Sequence, residues 1–377
     1  MSESELNLLY SDVEQELRAS VRELLAARCP WQSVLDRVSH RSDPAEIADL
    51  ELWRDLAAVG VAGLSVPEEL GGAGATPRES SVVAEELGRS VAPVPFLGSA
   101  VLATSALTAL DADGEVRALL ADLVAGERVA TLAVPLPTTP GSAFPTLVRA
   151  GEHGLSGTVS GVVDALNADV LVVPAVGADG PGLYLVAAGQ ATLTPLVSLD
   201  QTRPLAEVRL DGAAAVAVAS GQRAADALEA ALVAGAALLA AEQLGTAEWA
   251  LQATVDHLKE RVQFGRPVGS FQAPKHRLAD LWVLISQARA VVRNAASALA
   301  AGAPDAPLAA ALAQAFVSEV AVRAAEEAVQ LHGGIGFTWE HPAHLYLKRA
   351  KSSAIALGTA DRHRARIAEL VDLPPAP

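Results

Sequence analysis

Residues 221–260 contain no proline and are dominated by alanine, and no other stretch restricts the architecture of this chain as strongly. At 1.5 Å per residue a helix over that range is roughly 60 Å long. Its alanines let neighbouring helices approach closely, and its length suits a bundle shared with another subunit. A second strongly helical stretch covers 272–301. The two are joined by a short turn carrying Gly265, Pro267 and Gly269, residues that break helices or supply special backbone angles. Arg261, Gln263, Phe264 and Phe271 stand at the edge of that turn. One reading makes the corner a grip for a flat, phosphorylated ligand: the guanidinium forks onto phosphate oxygens and the rings cover apolar surface. The other makes Arg261 solvated surface and the two phenylalanines corner packing.

Composition narrows the class. With 377 residues, 51% of them hydrophobic, the chain has room for two or three packed domains. The single Cys29 excludes a disulfide framework within one chain, and no Cys/His spacing suggests a metal site. A formal net charge of −16 argues against nucleic acid as a partner. The N-terminus is acidic and amphipathic, without a signal-peptide pattern. The most apolar stretch, Ala227–Ala241, is interrupted by Glu229 and Gly235 and reads as a buried helix, not a membrane span. The expectation is a soluble, cytoplasmic protein.

Apolar spacing predicts helices at Glu5–Ala27, with Leu6, Leu9, Val13, Leu17, Val21, Leu24 and Leu25 on one side and Pro30 as its stop. Further helices are expected at Pro44–Val59, capped by Gly60, at Arg78–Gly88, at Phe96–Leu110 and at Glu115–Ala125, with a glycine loop at Val66–Gly74. From 128 to 218 the pattern changes to short Val/Leu/Thr runs between Gly, Pro and Asp. These give candidate strands at Val129–Val134, Thr146–Arg149, Gly157–Val163, Val170–Val173, Leu183–Ala187, Thr192–Leu196 and Ala206–Leu210. Helices return at Ser220–Glu260, Gln272–Ala301, Pro307–Leu331 and Pro342–Ile355. The expected fold is α+β: an N-terminal helical domain (1–126), a middle β-barrel or sandwich (127–218) and a C-terminal four-helix bundle (219–377).

Three motifs add a resemblance. RVQFGRPVGSFQAPKHRLAD, from Arg261 to Asp280, is similar to the RxQFGxPxxxFQAxxHxLAD signature of the acyl-CoA dehydrogenase flavoproteins. QLHGGIGFTWEHPAHLYLKRA, from Gln330 to Ala350, resembles that family's QxxGGxG segment. VPEELGGAG at Val66–Gly74, with AEEL at Ala84–Leu87, fits its N-terminal part. The resemblance implies FAD as cofactor, α,β-desaturation of an acyl-CoA thioester, and electron-transfer flavoprotein as acceptor. In such enzymes a carboxylate takes the α-proton while the β-hydride passes to the flavin. It also implies that Arg261, Gln263, Phe264, Phe271, Gln330, Gly333 and Gly334 reach the ADP end of a neighbouring subunit's FAD. Gly358 and Thr359 match the segment after the usual base, which adds Thr359 to the cofactor contacts.

The base itself is missing from both positions the resemblance supplies. One falls on Leu357, in IALGTADRH; the other, on the long helix, falls on Gly235. The flavin loop survives only as scraps in VPLPTTPGSAFP, Val134–Pro145, and GTVSGVVDALN, Gly157–Asn167, lacks the aromatic that covers the isoalloxazine. The long helix has Ala236 or its neighbours where the resemblance implies an Arg near the CoA phosphates. This half-and-half pattern resembles the non-base subunit of heteromeric α2β2 steroid side-chain dehydrogenases, whose partner is a homologous chain carrying the catalytic Glu. Two alternatives stay open: a self-sufficient homomeric flavoenzyme, either with its carboxylate at Glu85, Glu86 or Glu242 or with non-dehydrogenase chemistry that needs no base, and a FAD-free binding partner. His332 is read evenly as a pyrophosphate ligand or a helix cap. His276, Trp282 and Trp339 read as packing, and Glu340 and His341 as solvated residues after a turn.

Overall fold

The computed structural model describes residues 8–110 and 114–374. Helix α1 (Asp12–Arg28) opens with a reciprocal cap, in which Ser11 N–H donates to Glu14 Oε2 at 2.6 Å and Glu14 N–H donates to Ser11 Oγ at 3.2 Å. The expected start at Glu5 lies outside the described residues. Leu9 and Val13 are exposed, so the apolar stripe is buried only toward its C-terminal part, at Val21 and Leu25. Pro30 ends α1 and also opens an unexpected helix, α2 (Trp31–His40), because proline is tolerated where a helix begins. Helix α3 (Leu50–Ala58) is capped by Asp49 and ends before Gly60, whose φ of 87° is open to glycine. Helix α4 (Pro77–Arg89) carries a second capping box, Thr76 with Glu79. A π-helical turn at Phe96–Ala103 leads into α5 (Thr104–Thr108), and α6 (Gly114–Val124) follows.

The strands are β1 (Ala130–Leu132), β2 (Val148–Gly151), β3 (Gly154–Val163), β4 (Val170–Gly177), β5 (Gly180–Ala187), β6 (Ala191–Leu196), β7 (Leu205–Ala213) and β8 (Val216–Ser220). They pair in the order β6-β7-β3-β2-β4-β5-β8, with β1 parallel to β4. Strand β8 is an addition to the expected set: its alternation of Ala and Val reads as the lead into the long helix, yet it pairs antiparallel with β5.

The C-terminal helices are α7 (Gly221–Glu260), α8 (Gln272–Ala300), α9 (Ala306–His332), α10 (Ala343–Ser353) and α11 (Ala360–Leu370). The four expected helices are joined by α11, which has little apolar pattern to announce it and buries only His363. Between α7 and α8 the chain makes a two-residue hairpin, β9 (Val262–Gln263) with β10 (Arg266–Pro267), turning at Phe264 and Gly265. Both turn residues have positive φ, 53° and 74°, as the tight hairpin turn that matches strand twist requires.

Alanine lets α7 sit deep in the bundle. Its crossing with α4 is closer still: a Cβ on Gly88 would lie 1.9 Å from Glu242 O, and one on Gly245 would lie 1.8 Å from Glu85 O. Helix α7 and the span Ala306–Phe337 are long and apolar enough to cross a membrane by length and composition, but their apolar windows are 72% and 67% buried inside the fold. A buried ionic cluster ties the sheet to the bundle. Arg203, just before β7, bonds both carboxylate oxygens of Glu242 on α7, and Arg349 on α10 reaches Glu242 at 2.9 Å and Asp200 at 2.6 Å.

Candidate functional site

The helix corner and the glycine turn after α9 face each other across an open cleft of about 560 Å³. Arg261, Gln263, Gln330, Gly333 and Gly334 all line it. Arg261 stands just past α7, where its N–H closes the helix on His257 O at 2.9 Å. Its guanidinium is exposed and forms no ion pair among the described residues. Arg277, also on the wall, is paired with Glu327 at 2.7 Å. Gly333 has a φ of 64°, so the chain leaves α9 through a conformation glycine adopts without penalty.

Three of the expected contacts stand elsewhere. Phe264 and Phe271 do not line this cleft: Phe264 is 92% exposed at the tip of the hairpin and meets Phe271 edge-on at 6.2 Å. Phe271 carries the Arg266 guanidinium over its ring at 3.8 Å. Thr359 lies in a separate groove with Glu326 and Lys351, where its hydroxyl caps α11.

Two histidines of the cleft were underweighted by sequence reasoning. His257 and His332 line it with stacked rings, centroids 4.4 Å apart, and His341 packs against His332 with its ring tilted by 43°, also at 4.4 Å. Burial depresses the pKa of all three, to about 4 at His341, and the neighbouring imidazoles add to the effect at His332 and His341. His332 Nδ1–H donates to Ala328 O at 2.7 Å, which settles its tautomer when neutral.

Gly235 and Leu357, the two positions considered for a base, meet in the interior. A Cβ on Gly235 would lie 2.6 Å from Leu102 Cδ2 and 2.9 Å from Leu357 Cδ1. Leu357 is fully buried with a φ of 54°, and its N–H donates to Leu136 O at 2.6 Å, which fastens this loop onto the segment after β1. Nearby, the N–H of Gly141 donates to Glu229 Oε2 at 2.7 Å.

The carboxylates considered as substitutes are engaged. Glu242 belongs to the cluster with Arg203 and Arg349; burial would raise its pKa, but the two guanidiniums outweigh that and lower it. Glu85 bonds Arg18 and the Tyr10 hydroxyl, and Glu86 is held by Arg22 at 2.6 Å. Burial pushes Glu85 up to about 7 against the opposing pull of Arg18.

Comparison with known proteins connects this geometry to a family. Residues 11–127 match the profile described as acyl-CoA dehydrogenase, N-terminal domain, and residues 224–371 match acyl-CoA dehydrogenase, C-terminal domain. The chain is 38% identical over 341 residues to "Acyl-CoA dehydrogenase IpdE2" of Mycobacterium tuberculosis, covering 90% of this chain and 91% of that one. The chain belongs to the acyl-CoA dehydrogenase family. Among solved structures it resembles a variant of the Tcur3481-Tcur3483 steroid ACAD, with a TM-score of 0.84, 33% identity and coverage of 96% of this chain and 98% of that one. It also resembles a chain of the ChsE4-ChsE5 complex from Mycobacterium tuberculosis, with a TM-score of 0.86, 30% identity and coverage of 98% and 100%.

The protein is therefore an oxidoreductase of the acyl-CoA dehydrogenase family with an N-terminal helical domain, a central β-sheet and a C-terminal helical domain, and FAD is the cofactor that the family resemblance implies. The residues fit that group unevenly. The Arg261 cleft offers an unpaired guanidinium, amide side chains and glycine backbone, a donor set suited to a diphosphate. The Gly235–Leu357 contact is occupied by the chain's own leucines.

Proposed function

We propose that this chain is the non-base subunit of a heteromeric FAD-dependent acyl-CoA dehydrogenase. Arg261, Gln263, Gln330, Gly333 and Gly334 hold the ADP end of a FAD shared with a homologous chain, and that chain carries the carboxylate and binds the thioester. When bound, FAD accepts the hydride from the substrate's β-carbon. The observation that carries this reading is the contrast between two places in one molecule. The cleft with Arg261 is open and cationic, while the place for a base is a glycine pressed between Leu102 and Leu357, neither of which can take a proton. Two structural neighbours support the assembly and the substrate class: one is a steroid ACAD, the other belongs to the ChsE4-ChsE5 complex. By the same likeness the substrate is a steroid CoA thioester, and the motif resemblance adds the side chain as the reacting part and electron-transfer flavoprotein as the acceptor.

On this reading the purified chain, supplied with FAD, does not reduce flavin when mixed anaerobically with a saturated acyl-CoA. Loss of the general base alone costs roughly 10²–10⁴ in rate. Rapid bleaching by the lone chain contradicts the proposal. Leu357→Glu is expected to leave it inactive, because the flavin loop is also changed.

A further inference from the structure

Three imidazoles from three separate elements form one stack beside the cleft: His257 and His332 line it, and His341 meets His332 with its ring tilted by 43°. His257 comes from the last turn of α7, His332 from the end of α9 and His341 from the segment before α10, with both centroid distances 4.4 Å. In its neutral form His332 spends its one N–H on Ala328 O, and no partner for Nε2 is present among the described residues. His332 therefore offers the cleft a lone pair. A phosphate oxygen brings only lone pairs of its own, so the two repel until Nε2 is protonated, when the ring becomes a charge-assisted donor.

We propose that the His257–His332–His341 stack is a proton-linked anion subsite: a diphosphate seated in the cleft against Arg261 draws one proton from solvent onto the stack and binds with proton uptake. The proposal rests on the reading that the cleft takes the diphosphate end of FAD. No bond is made or broken besides the transfer of that proton from water or buffer to an imidazole nitrogen.

The surroundings hold the empty stack neutral. On α7, Arg261 repels charge on His257, and Glu260 only partly offsets it. On α8, Arg277 faces the cleft but is committed to Glu327 of α9. Beyond the glycine turn, His341 accepts the Ala343 N–H at 3.3 Å and feels His344 of α10, whose other close cation is Lys348. Glu340 is exposed on the same segment. No carboxylate pairs with a ring of the stack among the described residues. A dianionic ligand supplies the missing counter-charge, so the imidazole pKa rises on binding and affinity increases as pH falls.

The test is calorimetric titration of the full chain with inorganic pyrophosphate and with ADP, in buffers of different ionisation heat, on either side of the ordinary imidazole pKa of about 6.5, with the protons gained or lost by each ligand's own phosphate counted separately. Expected is uptake approaching one proton per ligand near that pH, and affinity strengthening by up to about tenfold per pH unit on acidification. His332→Asn is expected to remove most of the uptake. His257→Gln, at a half-buried position, is the second variant and should diminish it. Arg261→Ala should weaken binding without abolishing the proton uptake. Affinity independent of pH, or uptake unaltered in both histidine variants, overturns the inference while leaving the FAD reading intact. Pyrophosphate binding with uptake but no gain from the adenosine of ADP upholds the inference and removes the dinucleotide reading. No diphosphate binding at any pH overturns both.

Discussion

Gly235 is decided by one methyl group. A Cβ there meets Leu102 and Leu357 at distances no packed carbon tolerates, so Gly235→Ala forces leucines of a filled interior to move. Overpacking of this kind costs about 1–3 kcal/mol, and thermal melting of Gly235→Ala should register it, with partial recovery in the Gly235→Ala/Leu102→Ala pair. An unchanged melting temperature contradicts the packing described. Arg261 is the opposite case, since its truncation removes no core volume. Arg261→Ala is expected to weaken retention of FAD in the complex about ten- to a hundred-fold, the loss of a charge-assisted bond of roughly 1.5–3 kcal/mol, with the fold intact. Lysine should restore only part, because an ammonium lacks the planar fork. His341 links the residue scale to pH. Its folded pKa, lowered to about 4 from the ordinary 6.5, means that the unfolded chain binds a proton more readily. The stability this contributes is complete above the ordinary value and is lost as pH falls toward the folded one. His341→Gln should flatten the fall in melting temperature over that window. At this scale the sequence showed Arg261, Gln263, Gln330, Gly333 and Gly334 as a group because two short motifs carry them. It did not show the histidine stack, whose members belong to three elements that only tertiary packing brings together.

Among the elements, legibility followed periodicity. Helices α7, α8 and α9 were readable because alanine and leucine run long with no proline beyond the first turn. Helix α2 was hidden by Pro30, which ended one helix and opened the next. Helix α11 was hidden because its faces are polar around the single buried His363. Strand β8 borrowed the composition of the helix it precedes. The placement of Phe264 is likewise a property of the hairpin: the residue stands at its tip with a positive φ and its ring is exposed. The contact of sheet and bundle depends on charges that are expensive to leave alone. Arg349→Ala leaves Asp200 buried without its guanidinium and Glu242 with Arg203 alone, and removing one partner of a buried pair typically costs about 3–5 kcal/mol. Denaturant unfolding should show that loss. A variant as stable as the parent would show that the cluster contributes nothing net.

For the whole molecule, the three layers of the chain divide the labour unequally. The bundle presents an open, cationic cleft at the end of α7, while the interior between α7, the π-helical turn and the Leu357 loop is closed by leucines. That asymmetry was partly readable from which motifs were intact and which were eroded. The sequence could not show that Glu85, Glu86 and Glu242, the remaining carboxylates of interest, are all tied to arginines. The account's central claim is that this chain holds one end of a FAD it does not use alone. The most direct measurement is the flavin-to-chain ratio, by absorbance after gel filtration, of the chain purified alone and co-purified with a homologous partner. About one FAD per two chains in the complex, and little in the lone chain, is the result expected of a shared cofactor. About one FAD per chain in the lone protein contradicts it.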